Sequence, residues 1–144
     1  MEEEKFPIPG VGVMILRDNK VLLGFRKNTH GAGSWAFPGG KIQFGETIIA
    51  AAKRETKEEC GLEIDDISLV SIYDELDFFQ TDKKHFLGLG VLARKVVGEP
   101  QVLEPEKISE WRWFSLDALP SEIFKNTAMT LKHFQNKVIY NPED

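Results

Sequence analysis

Apolar and polar positions alternate along the first third of the chain. Val11, Val13 and Ile15 recur every second residue, and Val21-Leu22-Leu23 follows the polar Asp18-Asn19-Lys20. This period predicts two strands joined as a hairpin. Asn28 to Ser34, with Gly31 and Gly33, reads as a loop, and Trp35-Ala36-Phe37 as a short strand closed by Pro38-Gly39-Gly40. The period then changes. From Glu46 to Cys60 no Gly or Pro interrupts, Gly45-Glu46-Thr47 stands at the start and Gly61 at the end, which predicts a helix. Two strands follow, Ile67 to Leu76 and His85 to Val96, joined by a polar turn at Gln80–Lys84. Trp111 to Phe114 is another strand, and Ser121 to Lys137 a final helix. Residues 1–9, acidic and then broken by Pro7 and Pro9, are expected to form an N-terminal arm. The order predicts an α+β fold, a layered α/β/α sandwich with a mixed sheet. It lacks the regular strand–helix alternation of a doubly wound nucleotide fold.

Length and composition narrow the picture. The 144 residues suit one domain, 1–144, and 42% hydrophobic with 28% charged residues is globular composition. A lone Cys60 excludes an internal disulfide framework and points to a reducing compartment. The longest apolar runs, Val11–Leu16 and Phe86–Ala93, are too short to span a bilayer, and the acidic start is unlike a secretory signal. The expectation is a cytoplasmic protein without a membrane partner. A net charge of −5 disfavours a nucleic acid polymer as ligand, yet admits small anions where local cations offset the repulsion.

On a helical wheel, Ile48, Ile49, Ala52, Thr56 and Cys60 form one apolar stripe, while Ala50, Lys53 and Lys57 face solvent. Glu55, Glu58 and Glu59 gather at i, i+3 and i+4 on the flank of that stripe, beside the small Ala51. Like charges so placed repel one another. A solvated acidic face is one reading. The other is a hard divalent cation between the carboxylates, Mg²⁺ or its substitute Mn²⁺, sharing its shell with substrate phosphates. Glu46 lies about half a turn of the wheel from Glu55. It suits the positive end of the helix, with Arg54 reaching toward it or toward the other carboxylates. Gly39 and Gly40 let the backbone pass close to an ion or phosphate, and the Gly40 carbonyl adds a neutral oxygen. No P-loop or dinucleotide fingerprint is present.

Gly40, Glu46, Arg54, Glu55, Glu58, Glu59, Gly61 and Leu62 stand at the spacing of the Nudix box, which the segment 40–62 resembles. Thr56 departs from it, standing where an aliphatic residue is usual. Gly10-Val11-Gly12-Val13, Leu22 to Lys27, Gly31 to Trp35 and Glu110 to Phe114 are similar to the MutT-type nucleoside triphosphate pyrophosphatases. The resemblance implies an α/β/α sandwich that cleaves a nucleoside diphosphate linked to a further group, often as a homodimer. It implies Glu55 and Glu59 as main metal ligands, with Glu58 as a further ligand or water-positioning group and the Gly40 carbonyl completing the site. Arg54 would hold the carboxylates in place. A base from the loop before the late strand is expected at Glu106, with Glu104 competing and Glu58 the alternative. Arg26, Lys27 and Lys41, with the Gly39 backbone, border the expected phosphate site. Trp35, Phe37 and Cys60 are assigned to the core, His30 and His85 to hydrogen-bonded structural roles, and Phe124 to core packing or base stacking. Three functions fit: a triphosphate pyrophosphatase acting on ordinary, oxidised or noncanonical nucleotides; a nucleotide-sugar, ADP-ribose or dinucleotide hydrolase; and a noncatalytic nucleotide-binding module.

Overall fold

The computed structural model describes residues 5–28 and 30–144. Strand β1 (Ile8–Arg17) turns through Asp18 and Asn19 into β2 (Lys20–Arg26). Both turn residues have positive φ, 50° and 61°, the geometry whose twist matches a tight hairpin and which Asp and Asn tolerate. β3 (Trp35–Ala36) and β4 (Gly39–Lys41) precede helix α1 (Ile48–Cys60). β5 (Glu63–Glu75), the short α2 (Phe79–Asp82), β6 (Phe86–Val97), β7 (Ile108–Ser115) and α3 (Lys125–Asn136) complete the order.

β1 organises the mixed sheet. It runs parallel to β6 from Ile8 to Ile15 on one side. Its other side is shared by β4, opposite Gly10–Gly12, and by β2, opposite Leu16 and Arg17. β5 extends the sheet beyond β6, while β3 and β7 flank β2. Alternation along β1 divides the interior into two layers. Val11, Val13 and Ile15 pack with Ala51, Ala52 and Cys60 of α1; Met14 packs with Leu92 and with Leu131 of α3. This is the expected α/β/α sandwich.

Several boundaries differ from expectation. The arm stops at Pro7: Ile8 and Pro9 already belong to β1, where a proline near the strand's start sacrifices no essential ladder donor. The first four residues of that arm lie outside the described residues, as does Thr29 of the following loop. Gly39–Lys41 is a strand rather than a closing turn, because β1 pairs with it from a distance in sequence. The expected turn at Gln80–Lys84 overlaps the one-turn helix α2, which already starts at Phe79. Ile49 is 47% exposed, and Ala51 is buried instead. Small residues there let α1 approach the sheet closely.

Thr47 starts α1 by accepting the Ala50 N–H at its Oγ1, 3.0 Å away, and Gly61 ends it at φ 75°. At the far edge, the last residues fold back over β5, and the Ile72 N–H donates to the Ile139 carbonyl. Ser71 Oγ lies 2.7 Å from His133 Nδ1, and His133 Nε2 lies 2.8 Å from Asp144 Oδ2. The Ser–His–Asp sequence is that of a hydrolytic triad, but with the two ring nitrogens exchanged. Ser71 and His133 are buried, however, so this chain of bonds fastens the C-terminal segment instead of meeting a substrate.

Candidate active site

A cavity of about 360 Å³ opens between the sheet and the N-terminal end of α3. Gly10, Gly12 and Gly88 form its floor. One wall carries Gly39, Gly40, Lys41 and Glu59, the opposite wall Tyr73, Glu75, Phe78 and Phe86, and Arg26, Glu104, Phe124 and Asn126 also reach it.

The carboxylate wall is built by α1 against β4. Gly40 makes room for this approach: a Cβ there would stand 2.5 Å from the Glu55 carboxyl carbon, and the Glu55 side chain would have to move. The Gly39 N–H points at Glu59 Oε2, 3.4 Å away. Burial, followed by the charge of Glu55, pushes the Glu59 carboxyl up to about 8. Burial also raises that of Glu55, against the opposing pull of Arg54.

Arg54 fixes the arrangement from outside. Its Nε and Nη2 donate to the two oxygens of Glu46 at 2.7 and 2.9 Å, a bidentate pairing. Nη1 donates to Glu55 Oε1 at 2.8 Å and Glu58 Oε2 at 3.2 Å, and Nη2 also to the Lys41 carbonyl. These bonds hold the Glu46 carboxyl down at about 2.

The expected site residues separate into two groups. Arg26, Gly39, Gly40, Lys41 and Glu59 line the cavity, with Glu55 packed against Gly40. Glu58 is 54% exposed and faces Arg54 rather than the cavity. Of the two loop carboxylates, Glu104 lines the cavity and its charge helps raise Glu55 and Glu59. Among the described residues Glu106 is engaged through its backbone carbonyl, which accepts from Asn28 Nδ2, and it does not line the cavity. Lys27 stands away from the cavity, its backbone N–H donating to the Lys107 carbonyl. Trp35, Phe37 and Cys60 are buried as expected. His30 stacks against Phe78 at 4.5 Å. Phe124 lies under the Arg26 guanidinium, 4.3 Å away, at the cavity's edge.

The donor set suits a divalent cation. Glu59 is a half-buried carboxylate with one long backbone donor, and Glu55 adds like charge beside it, an arrangement that a cation relieves. Among the described residues no three ligating side chains are gathered into a ready cage. Mg²⁺ requires none, since it retains waters and takes one or two carboxylates plus substrate oxygens. Glu55, Glu59 and the Gly40 carbonyl are the oxygens in position.

A NUDIX domain model matches residues 7–134. The chain belongs to the NUDIX family. A mouse protein named oxidized purine nucleoside triphosphate hydrolase is 34% identical over 122 residues, a match covering 75% of this chain and 66% of that protein. This chain thus spans just under two thirds of that relative's length. An ADP-ribose pyrophosphatase of Methanocaldococcus jannaschii is 35% identical over 118 residues, 82% of this chain and 68% of that one. The crystal structure of a MutT NUDIX hydrolase from Burkholderia pseudomallei superposes with a TM-score of 0.83 at 34% identity, covering 90% of this chain and 98% of that one. No described helix is long and apolar enough to cross a membrane.

The NUDIX motif explains which residues were legible. Tyr73, Glu75, Asn126 and Thr130 lie outside it and were missed. Ser71, Tyr73 and Glu75 did carry a signal, since polar side chains at every second position of a strand mark one face as lining something other than a hydrocarbon core.

Proposed function

We propose that this protein is a divalent-metal-dependent hydrolase of nucleoside diphosphate-linked compounds, converting a nucleoside triphosphate to the monophosphate and pyrophosphate. The carrying observation is Glu59, a half-buried carboxylate met by the Gly39 N–H on the wall of a cavity large enough for a nucleotide. Bound Mg²⁺ would screen the phosphate oxygens and make water a better nucleophile at neutral pH. Glu55, Glu59 and the Gly40 carbonyl would hold it, and Arg54 keeps Glu55 and Glu58 from splaying. Lys41 and Arg26 offer positive charge to the polyphosphate. Glu104, at the cavity, is better placed than Glu106 to accept a proton from water, with Glu58 the alternative on the helix. Oxidised or otherwise noncanonical nucleotides belong to the substrate range because of the mouse relative's named activity. ADP-ribose is the second reading, favoured by the named activity of the archaeal relative. A cytoplasmic setting accords with the buried free thiol of Cys60.

The test is product identification after incubation with Mg²⁺ and a panel of nucleoside triphosphates, ADP-ribose and nucleotide sugars. Pyrophosphate with a monophosphate is the expected result, and a chelator should stop it. Two phosphorylated fragments from ADP-ribose alone would favour the second reading. Turnover in metal-free buffer would defeat both.

A further inference from the structure

The wall opposite the metal-binding carboxylates carries a group that cleavage itself does not use. One row of paired residues crosses four strands, Lys41 on β4, Gly10 on β1, Gly88 on β6 and Tyr73 on β5. Three strand spacings separate its ends by about 14 Å. Within this row no side chain rises from the two middle strands, and a Cβ at Gly88 would fall within the Tyr73 ring, so that ring lies across the floor's end. Glu75, two residues along on the same face, lines the cavity and is only 7% exposed. Its Oε1 accepts the Asp77 N–H at 3.0 Å, and among the described residues nothing donates to Oε2. The nearby Lys125 is engaged by Asp77, 2.6 Å away.

At the Lys41 end, Lys41 and the divalent cation that Glu55 and Glu59 would hold attract phosphate, whereas among the described residues Glu75 has no cation to offset its charge. A bound nucleotide therefore lies with its phosphates toward Lys41 and its base toward Glu75. Ionised, it is acceptor-only and can serve two adjacent donors at once. Base edges differ in that respect. Adenine and cytosine set an amino group beside a bare ring nitrogen, and uracil, thymine and hypoxanthine flank their N–H with a carbonyl or with no donor. Guanine alone places a ring N–H next to an amino group. Its carbonyl then needs a donor, which Asn126, across the cavity on α3, can supply.

We propose that Glu75 is a specificity-determining residue, its carboxylate accepting from the ring N–H and amino group of a guanine-type base laid across the Gly10–Gly88 floor. This rests on the reading of the protein as a nucleotide hydrolase, and names the base which that site takes.

Calorimetric titration with GMP and IMP tests it, since the two differ only in the 2-amino group. The protein should bind GMP at least about tenfold more tightly, as expected for loss of a hydrogen bond to a charged group. In Glu75→Gln, whose amide keeps one acceptor oxygen for the ring N–H, the ratio should fall to near one because GMP binding weakens far more than IMP binding. A loss of fold would weaken both ligands together. If that variant does not fold, the ratio in the unaltered protein and its decline in Glu75→Asp decide. Equal binding of GMP and IMP by the unaltered protein, or a ratio undiminished in the variants, overturns the assignment. GTP turnover with Mg²⁺, measured in parallel, keeps the two readings apart. Discrimination without turnover defeats the hydrolase and keeps Glu75; turnover without discrimination does the reverse.

Discussion

Thr56 shows what a single atom can cost. It is fully buried on α1, and its hydroxyl has no hydrogen-bond partner among the described residues. Leaving such a group unpaired costs about 1–3 kcal/mol. Thr56→Val, nearly the same shape, should therefore raise the unfolding free energy by about 1 kcal/mol in urea titrations. Glu59→Gln should abolish turnover while circular dichroism and Tm stay close to the parent values. Glu46 yields a pH signature. Its carboxyl is held at about 2 instead of 4.5, chiefly by Arg54. Because the folded value is depressed, the stabilisation is complete above 4.5 and disappears as pH falls toward 2. The stability gap between the parent and Glu46→Gln, followed by denaturant titration, should shrink across that window. Much of this cluster was legible, because box spacing and helical geometry jointly specify Arg54 and its carboxylates. The choice of Glu104 over Glu106 at the cavity was not, since a loop has no period from which to read direction.

Elements with local punctuation were foreseeable. Thr47 and Gly61 bracket α1, and Asp18-Asn19 marks the hairpin. β4 was hidden because its three residues owe their conformation to β1, about thirty positions earlier in the chain. β5 likewise begins at Glu63, earlier than alternation suggested, because β6 pairs with it as far as Val97. The fastening of the C-terminal segment was equally invisible, since Ser71, His133 and Asp144 come from three separate places. Ser71→Ala would strip His133 Nδ1 of its partner in a buried site. A loss of about 1–3 kcal/mol in unfolding free energy is expected. A change below about 0.5 kcal/mol would show that the bond contributes little there.

For the molecule as a whole, the sheet acts as a partition. Ile15 faces the α1 layer, and Leu131 belongs to the α3 layer. Ile15→Val should cost about 0.5–1.5 kcal/mol and Leu131→Ala about 2–5 kcal/mol. With the sheet between them, the double variant should equal the sum within about 0.5 kcal/mol. Coupling beyond that would mean that the layers communicate. The layered architecture was readable from strand and helix order, whereas the cavity was not, because it arises where both layers and four strands meet. Its glycines are not alike. A methyl at Gly88 collides with Tyr73, but at Gly12 it meets nothing within 4 Å. Gly12 is thus an adjustable bump. Alanine there trims the chamber and spares the scaffold, a handle for sorting inhibitors or nucleotide analogues by bulk at unchanged Tm.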